Sequence, residues 1–208
     1  MNIDVMNADV PGEEEPDLRA DARRNRGRIL ETAIRHFTTH GVGASLEEVA
    51  REAGVGAGTL YRHFPSREAL LAAALRSRQT ELLAVSREAR DIADADTALR
   101  TWLEALQDYL RTFNGLPAPV LAAVKEHGSP LAFSCDTLVS ITGEFLARAQ
   151  IDGHARHSVT ANDLFLGALG IAWVLNRAQT CGTSAGSLNE MLAHGYLDHG
   201  RGSAGKAG

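Results

Sequence analysis

The sequence lacks any apolar run near the roughly 18 residues that a helix needs to cross a bilayer, although 44% of its 208 residues are hydrophobic. This absence excludes a transmembrane helix. The first 18 residues also lack lysine and arginine but hold six acidic residues, which is the reverse of a secretory signal. We therefore expect a soluble, cytoplasmic protein that has no membrane partner.

Cysteine is scarce as well, because only Cys135 and Cys181 are present. Their wide separation fits no zinc or redox spacing, so we expect buried or spectator thiols. The chain also has no phosphate-binding glycine loop, no G-x-S-x-G and no H-E-x-x-H. His154 and His157 lie three residues apart, but such a pair alone is more often solvated than metal-bound. We predict no enzyme, no cofactor and no metal site.

Positive charge is low over the whole chain and concentrated in one part of it. The net charge is −5. Residues 1–18 contribute −6, residues 19–67 contribute +4 from nine basic and five acidic residues, and residues 68–208 contribute −3. Phosphate binding depends on local arginine placement rather than on the total charge. The balance is therefore compatible with a nucleic-acid partner for residues 19–67. Arginines outnumber lysines by 19 to two, which by association indicates a high-GC bacterial source.

The most informative stretch runs from Ser45 to Phe64, SLEEVAREAGVGAGTLYRHF. Ser45 and Glu48 have the spacing of a capping box, which predicts that a helix begins there. Gly54 can supply the positive φ that ends this helix, and Gly56 can act as the N-cap of a second one. Two short helices joined by a tight turn make a helix-turn-helix, although an ordinary pair of packed helices has the same outline.

The second of these helices has the outward face of a recognition helix. Leu60 and Phe64 point inward on the helical pattern. The small residues at its start let the backbone approach the floor of a major groove. Thr59 can offer a hydroxyl and a methyl to base edges, and the longer side chains can reach bases or phosphates. The outward residues are Ala57, Gly58, Thr59, Tyr61, Arg62 and His63.

Residues 23–75 resemble the DNA-binding domain of the TetR/AcrR family of bacterial regulators. The similarity rests on the paired G-V around the turn, on T-L-Y-x-H-F and on P-S-[KR]-E-x-L, which stand in this order. It implies that Thr59 contacts bases and that phosphates are held by Ser45, Tyr61, His63 and Arg67. The chain has Gly56 and Ala57 where the family often has Ser or Thr and Lys, so we expect Arg62 to make the specificity contact.

The rest of the pattern predicts an all-α protein, since no period-2 run is long enough for a strand. We expect a disordered acidic tail over residues 1–20 and a helix over 21–40 that completes a three-helix DNA-binding domain over 21–66. Arginines at the start of that helix are placed to touch a phosphate, although solvation alone is an equal alternative.

A connector helix is predicted from Ser66 to about Ala89. The body, 67–198, is predicted to hold helices over 97–114, 119–127, 131–150 and 159–180, a polar loop over 151–158 and a weak segment near 188–197, before a disordered tail over 199–208.

The body segment RAQIDGHARHSVTANDL resembles the C-terminal domain of one TetR subgroup, whose usual form is RAQxxGxxRxDVxxxDL. Ser158 stands where an acid is usual. The resemblance implies a homodimer formed through the last two long helices. Small residues such as Gly167 and Gly170 would let those helices approach closely, although packing within one chain is the alternative.

We also predict a ligand pocket in the body, where apolar rings and a few polar tips lie on helices that converge. Each of these residues alone is better explained by core packing. The resemblance implies that an apolar or aromatic small molecule sits among these helices and displaces the connector. The residues are Trp102, Leu106, Tyr109, Phe113, His127, Phe133, Cys135, Trp173 and Asn176.

The sequence therefore predicts a sequence-specific DNA-binding regulator, most simply a ligand-responsive repressor that binds a palindromic operator as a dimer. A small-molecule-binding protein with a non-functional head is the alternative. An enzyme built on the body is a third class, which no residue pattern supports.

Overall fold

The structure is a computed structural model that describes residues 14–126, 128–177 and 184–197. Within these ranges the chain forms nine α-helices and one isolated β-bridge, between Ala155 and Leu197. None of these helices combines the length and the hydropathy that crossing a bilayer requires. The all-α prediction is thus confirmed for the described residues. The helices are α1 (Glu14–His40), α2 (Leu46–Glu52), α3 (Ala57–His63), α4 (Arg67–Arg90), α5 (Ala95–Leu110), α6 (Pro117–Lys125), α7 (Ala132–Ile151), α8 (Ala161–Arg177) and α9 (Ala185–Tyr196).

Helices α1, α2 and α3 form a small head around one apolar core. Each helix contributes residues that recur every three or four positions, and these residues are buried. At the start of α2 the Ser45 hydroxyl accepts a hydrogen bond from the Glu48 N–H at 3.3 Å, as predicted. The reciprocal bond of the capping box does not form between these two described residues. The core residues are Ile29, Ala33, Phe37, Val49, Leu60 and Phe64.

Helix α4 is a 24-residue connector between the head and the body. Its N-cap is Ser66, whose hydroxyl accepts from the Ala69 N–H at 3.1 Å. Residues 70–75 of this helix are buried, and the helix packs against both α1 and α5. At the far end, Arg148 of α7 donates to the carbonyls of Arg90, Ile92 and Ala93 at 3.1, 2.5 and 2.8 Å. The end of the connector is therefore fixed to the body.

Helix α5 is the centre of the body and packs against α4, α7 and α8. The indole N–H of Trp102 donates to the Thr142 hydroxyl at 2.9 Å, and its ring stacks on Phe145 with centroids 5.7 Å apart. Thr142 donates in turn to the Leu138 carbonyl at 2.8 Å. Helix α6 lies on α7 and α8, and α9 packs against α8. The core of the body thus lies between α5, α7 and α8.

Two predictions about the elements need correction. Helix α1 begins at Glu14, so the prediction of a disordered tail is wrong over residues 14–20; residues 1–13 lie outside the described ranges, as do 199–208. Pro16 is compatible with this start because the first turn of a helix does not need its missing N–H. Helix α9, predicted only as a weak segment, is capped by Ser184, whose hydroxyl accepts from the Ser187 N–H at 3.1 Å.

Candidate nucleic-acid interface

Helix α3 presents the outward face that the sequence predicts. Leu60 is fully buried, whereas Tyr61 is 48% exposed and Arg62 is also exposed. A Cβ placed on Gly56 or Gly58 would meet no atom within 4 Å. This open space leaves the backbone of the first turn accessible to a groove floor. The remaining residues of the face are Ala57, which is exposed, and Thr59 and His63, which are half-buried.

The turn between α2 and α3 has the predicted geometry. Gly54 has a φ of 66°, and its N–H donates to the Arg51 carbonyl at 3.1 Å. The N–H of Val55 donates to the Ala50 carbonyl at 3.0 Å. Gly56 is the N-cap of α3, in an extended conformation with φ −72° and ψ 153°. A side chain at Gly54 would strain this turn, so the glycine allows the backbone conformation that joins the two helices.

Two of the predicted phosphate contacts already have partners within the head. Nη1 of Arg67 donates to the carbonyls of Val42 and Ala44 at 2.9 and 2.6 Å. Arg67 therefore holds the loop between α1 and α2, and only its other N–H groups are left for a phosphate. The Ser45 hydroxyl accepts from Glu48 but can still donate. Phosphate binding by both residues stays a prediction.

The arginines at the start of α1 also differ in what they contact. The guanidinium of Arg26 lies over the Phe64 ring, 4.7 Å from its centroid. Arg28 donates to the Asn25 side-chain oxygen at 2.7 Å. The Arg26 side chain therefore covers the Phe64 ring at the end of α3. It packs against the head in addition to carrying a positive charge.

A charged cluster that the sequence analysis missed joins α1 to α2. The Glu52 carboxylate accepts from Nη2 of Arg35 at 2.7 Å and lies 2.7 Å from Nε2 of His36. The hydrogen bond from Arg35, followed by that from His36, holds the pKa of Glu52 below its usual value of 4.5. Since α2 carries the turn into α3, this cluster also positions the outward face of α3.

A second group of missed residues joins the head to the body, and we call it the Val42–Asn114 joint. The N–H of Val42 donates to the Asn114 carbonyl at 2.9 Å, in the turn between α5 and α6. Gly41 and Gly115 flank this bond with φ values of 77° and 83°. The sequence shows these glycines only as helix breakers. The two glycines are 74 positions apart in the sequence, so no local signal predicts that they meet.

The structure does not bring the predicted pocket residues together around one cavity. Trp102, Leu106 and Phe113 have no exposed surface and belong to the core. Tyr109 faces the connector and donates its hydroxyl to the Leu75 carbonyl at 3.3 Å. Trp173 is 45% exposed on the outer side of α8. An apolar helix face has the same sequence pattern whether it packs in a core or lines a pocket, so the pattern could not separate these residues.

The other members of the predicted set are also scattered. Cys135 is buried, and this burial raises the pKa of its thiol to about 11, which makes it a poor nucleophile at neutral pH. Asn176 is half-buried near the end of α8. His127 and the side chain of Phe133 lie outside the described part of the chain.

The described residues of the body line several hollows. A cavity of about 270 Å³ lies between α4 and α5 and includes Arg78, Leu82, Asp108 and Tyr109 in its wall. An open groove of about 750 Å³ runs between α8 and α9. Its wall shares Leu166, Gly170 and Trp173 with a hollow of about 560 Å³ between α6 and α8.

The residues behind the second resemblance shape the loop between α7 and α8. The side-chain N–H₂ of Gln150 donates to the carbonyls of Arg156 and Val159, both at 3.0 Å. The Thr160 N–H donates to the Asp163 carboxylate at 2.9 Å, and the Asp163 N–H donates to the Thr160 hydroxyl at 3.2 Å. The bonds from Thr160, its hydroxyl first, lower the pKa of Asp163. These polar residues therefore fix a turn and start α8.

Comparison with known proteins finds matches to both parts of the chain. Residues 29–74 match the family described as bacterial regulatory proteins, tetR family. Residues 94–196 match the C-terminal domain of SbtR-like transcriptional regulators. Curated helix-turn-helix transcriptional regulators of Staphylococcus aureus are 46% identical over 54 residues, which are 26% of this chain and 29% of the relative's length.

Solved structures extend the similarity over most of the chain. A TetR-family regulator from a Rhodococcus species, 22% identical with a TM-score of 0.56 over 83% of this chain and 96% of that chain, shares the fold. A TetR transcriptional regulator from Streptomyces coelicolor is 33% identical with a TM-score of 0.53, and the similarity covers 84% of this chain and 99% of that chain. Since head and body both match one family and a relative of this identity is covered almost completely, the chain belongs to the TetR family of bacterial transcriptional regulators.

Proposed function

We propose that this chain is a DNA-binding regulator that acts as a homodimer, represses transcription at a two-fold symmetric operator and is released by a small-molecule effector. The exposed face of α3 is the observation that carries the proposal. Leu60 and Phe64 hold this helix to the head, while Tyr61 and Arg62 remain exposed and have no packing function there. Long polar side chains in this position of a helix-turn-helix reach base edges and phosphates.

Dimerisation is assigned to the outer faces of α8 and α9. A symmetric operator needs two heads, with half-sites about 34 Å apart. The open groove between α8 and α9 has an apolar wall in which Trp173 is 45% exposed and Met191 is 68% exposed. Contiguous exposed apolar surface in a soluble protein often marks an interaction site. The sequence implicates the last two long helices, α7 and α8. Helix α7 packs against α5, α6 and α8, and the side chains that it leaves exposed include the polar ones of Asp136, Ser140 and Glu144.

The cavity between α4 and α5 is the best site for the effector. Its wall combines Leu82, Val85 and Tyr109 with the charged side chains of Arg78 and Asp108. A small aromatic or apolar molecule with one polar group matches this wall. Arg67 ties the start of α4 to the head, and Arg148 ties its end to the body. A ligand that parts α4 from α5 would therefore move the head.

The energetic requirement follows from linkage. An effector that binds both head arrangements equally would change nothing. To turn the equilibrium over fully, it must bind the released arrangement about 10⁴-fold more tightly than the DNA-bound one.

The first experiment measures binding of the purified protein to the DNA that flanks its own gene, across a salt series, with the mass in solution determined alongside. A dimer that protects a two-fold symmetric site and loses affinity steeply with salt is expected. A dimer that takes up small molecules but shows no sequence-selective DNA binding would instead assign the function to the body and make the head non-functional.

Substitutions on α3 separate general from specific contacts. Tyr61→Ala should weaken binding to every DNA sequence, whereas Arg62→Ala should change operator preference by about 1–3 kcal/mol at one position. Arg87→Ala is the control, because Arg87 is an exposed arginine near the far end of α4. If Arg62→Ala weakens binding equally for all sequences, Arg62 does not read bases.

A further inference from the structure

The first part of α1 extends from the head without a buried face. Residues 19–28 include no buried side chain, and Ile29 is the first core residue after them. Ten residues make almost three helical turns, about 15 Å in length. A helical segment of this length that buries no apolar face gains little stability from packing. Core packing therefore does not explain the side chains of this segment.

The charged side chains of the segment are sorted onto two sides of the helix. Spacings of four and three residues put Arg19, Arg23 and Arg26 on one side. Asp21 and Arg24 lie on the opposite side, because each residue turns the helix by about 100°. There Arg24 forms an ion pair with Asp21. The first side holds three arginines, and we call it the arginine stripe.

Two members of the arginine stripe retain hydrogen-bond donors. The side chain of Arg23 is exposed and forms neither an ion pair nor a hydrogen bond within the described ranges. The guanidinium of Arg26 contacts the Phe64 ring, 4.7 Å from its centroid. Contact with a ring uses none of the five N–H donors of a guanidinium. Phosphate oxygens are the acceptors that match these donors in both charge and geometry.

The arginine stripe continues the outward face of α3. Phe64 directly follows Arg62 and His63, so its contact with Arg26 brings the stripe to the end of α3. Arg23 lies three residues before Arg26, about 4.5 Å further along the axis of α1. When α3 enters a major groove, the stripe is therefore carried toward the sugar-phosphate backbone that borders this groove.

We propose that the arginine stripe binds the DNA backbone beside the groove that α3 enters, with Arg23 donating to one phosphate in each half-site. A phosphate contact carries no sequence information, but it adds affinity and fixes the orientation of the protein on the duplex. The bound strand supplies the partner that the exposed segment of α1 lacks in the head. This inference rests on the proposed DNA binding through α3 and extends that interface to a second helix.

The test is the salt dependence of DNA binding by the full-length protein, measured by fluorescence anisotropy. The probes are the DNA that flanks its own gene and a duplex of random sequence. Each phosphate contact adds about −0.9 to the slope of log K against log salt, so Arg23→Ala, which removes one contact per protomer, should make the slope of a dimer less steep by about 1.8 on both probes. Arg23→Lys keeps the positive charge and should retain most of the wild-type slope.

Arg24→Ala is the matched control. Arg24 follows Arg23 directly and is also exposed, but it lies on the opposite side and is paired with Asp21. We expect the wild-type slope in this variant. Alanine favours the helix, so circular dichroism should show unchanged helix content in both alanine variants. Equal reductions of the slope in both would assign the effect to total charge and overturn the inference.

Phosphate ethylation locates the contact on the operator. In the wild type, ethylation of one phosphate in each half-site should block binding, and this interference should disappear in Arg23→Ala while the contacts of α3 remain. If the wild type binds neither probe, the proposed function fails together with the inference. If the wild type binds but Arg23→Ala keeps its slope and its ethylation pattern, only the inference fails, and the arginine stripe is a solvated surface.

Discussion

Gly41 is the residue whose substitution has the clearest structural consequence. Its φ is 77°, and a Cβ there would lie 2.6 Å from the Asn114 carbonyl oxygen. Gly41→Ala should therefore lower the free energy of unfolding by about 1–3 kcal/mol in urea titrations. Gly43→Ala is the control, because a Cβ at Gly43 meets nothing within 4 Å. Similar losses in the two variants would show that the Val42–Asn114 joint does not constrain the backbone.

The buried pair of Trp102 and Thr142 gives a second prediction at this scale. Thr142→Val keeps the shape but removes the acceptor of the indole N–H, so we expect a loss of about 1–3 kcal/mol in the free energy of unfolding. Thr38→Val is the matched control. The hydroxyls of Thr38 and Thr142 each donate to the carbonyl four residues earlier, but Thr38 is exposed. Trp102→Phe in the Thr142→Val background should cost less than Trp102→Phe alone. A double-mutant cycle without coupling would refute the bond.

At the scale of elements, Glu52 makes the packing of α1 on α2 depend on pH. Its pKa is lowered in the folded state, so its stabilising contribution is fully present above the usual value of 4.5 and is lost as the pH falls through the folded value. Glu52→Gln should lower stability at pH 7, and the difference from the wild type should shrink below pH 4.5. Urea unfolding followed by circular dichroism measures this. Glu47→Gln, exposed on the same helix, should show no such convergence.

Elements with local signals were the ones that the sequence predicted well. Ser45, Gly54, Gly56 and Ser66 each fix a helix end within a few residues, and the structure has these ends where the sequence placed them. The sequence predicts α9 only as a weak segment, because the glycines in it lower its helix propensity. This helix also packs closely on α8, which is distant in the sequence, since a Cβ at Gly167 of α8 would lie 2.8 Å from Leu192.

The same distinction applies to the candidate sites. The outward face of α3 follows from periodicity within seven residues, so the sequence could predict it. The hydrogen bonds of Arg67 to a loop more than 20 residues away, and the core packing of Trp102, depend on tertiary contacts. A sequence pattern shows which side chains are apolar or charged, but not which of them already have partners in the fold.

At the scale of the whole molecule, the assignment of the dimer interface is testable. Met191→Glu places a charge in the open groove between α8 and α9 and should weaken dimerisation at least about 30-fold, measured by analytical ultracentrifugation. Ile151→Glu is the control, because Ile151 is 81% exposed but ends α7. If Ile151→Glu dissociates the dimer and Met191→Glu leaves it intact, the interface lies on α7 and not in this groove.

Among the described residues, the head is joined to the body through the covalent run of α4 and at the Val42–Asn114 joint, beside which the Phe37 ring of α1 meets the Phe113 ring edge-on with centroids 5.7 Å apart. A rigid body held at two points keeps a single degree of freedom, which is rotation about the line that connects them. In a symmetric dimer both heads would turn about equivalent axes by the same angle. The separation and the tilt of the two α3 helices would then change together. An operator whose half-sites have the wrong spacing would therefore also have its grooves misaligned with the two α3 helices.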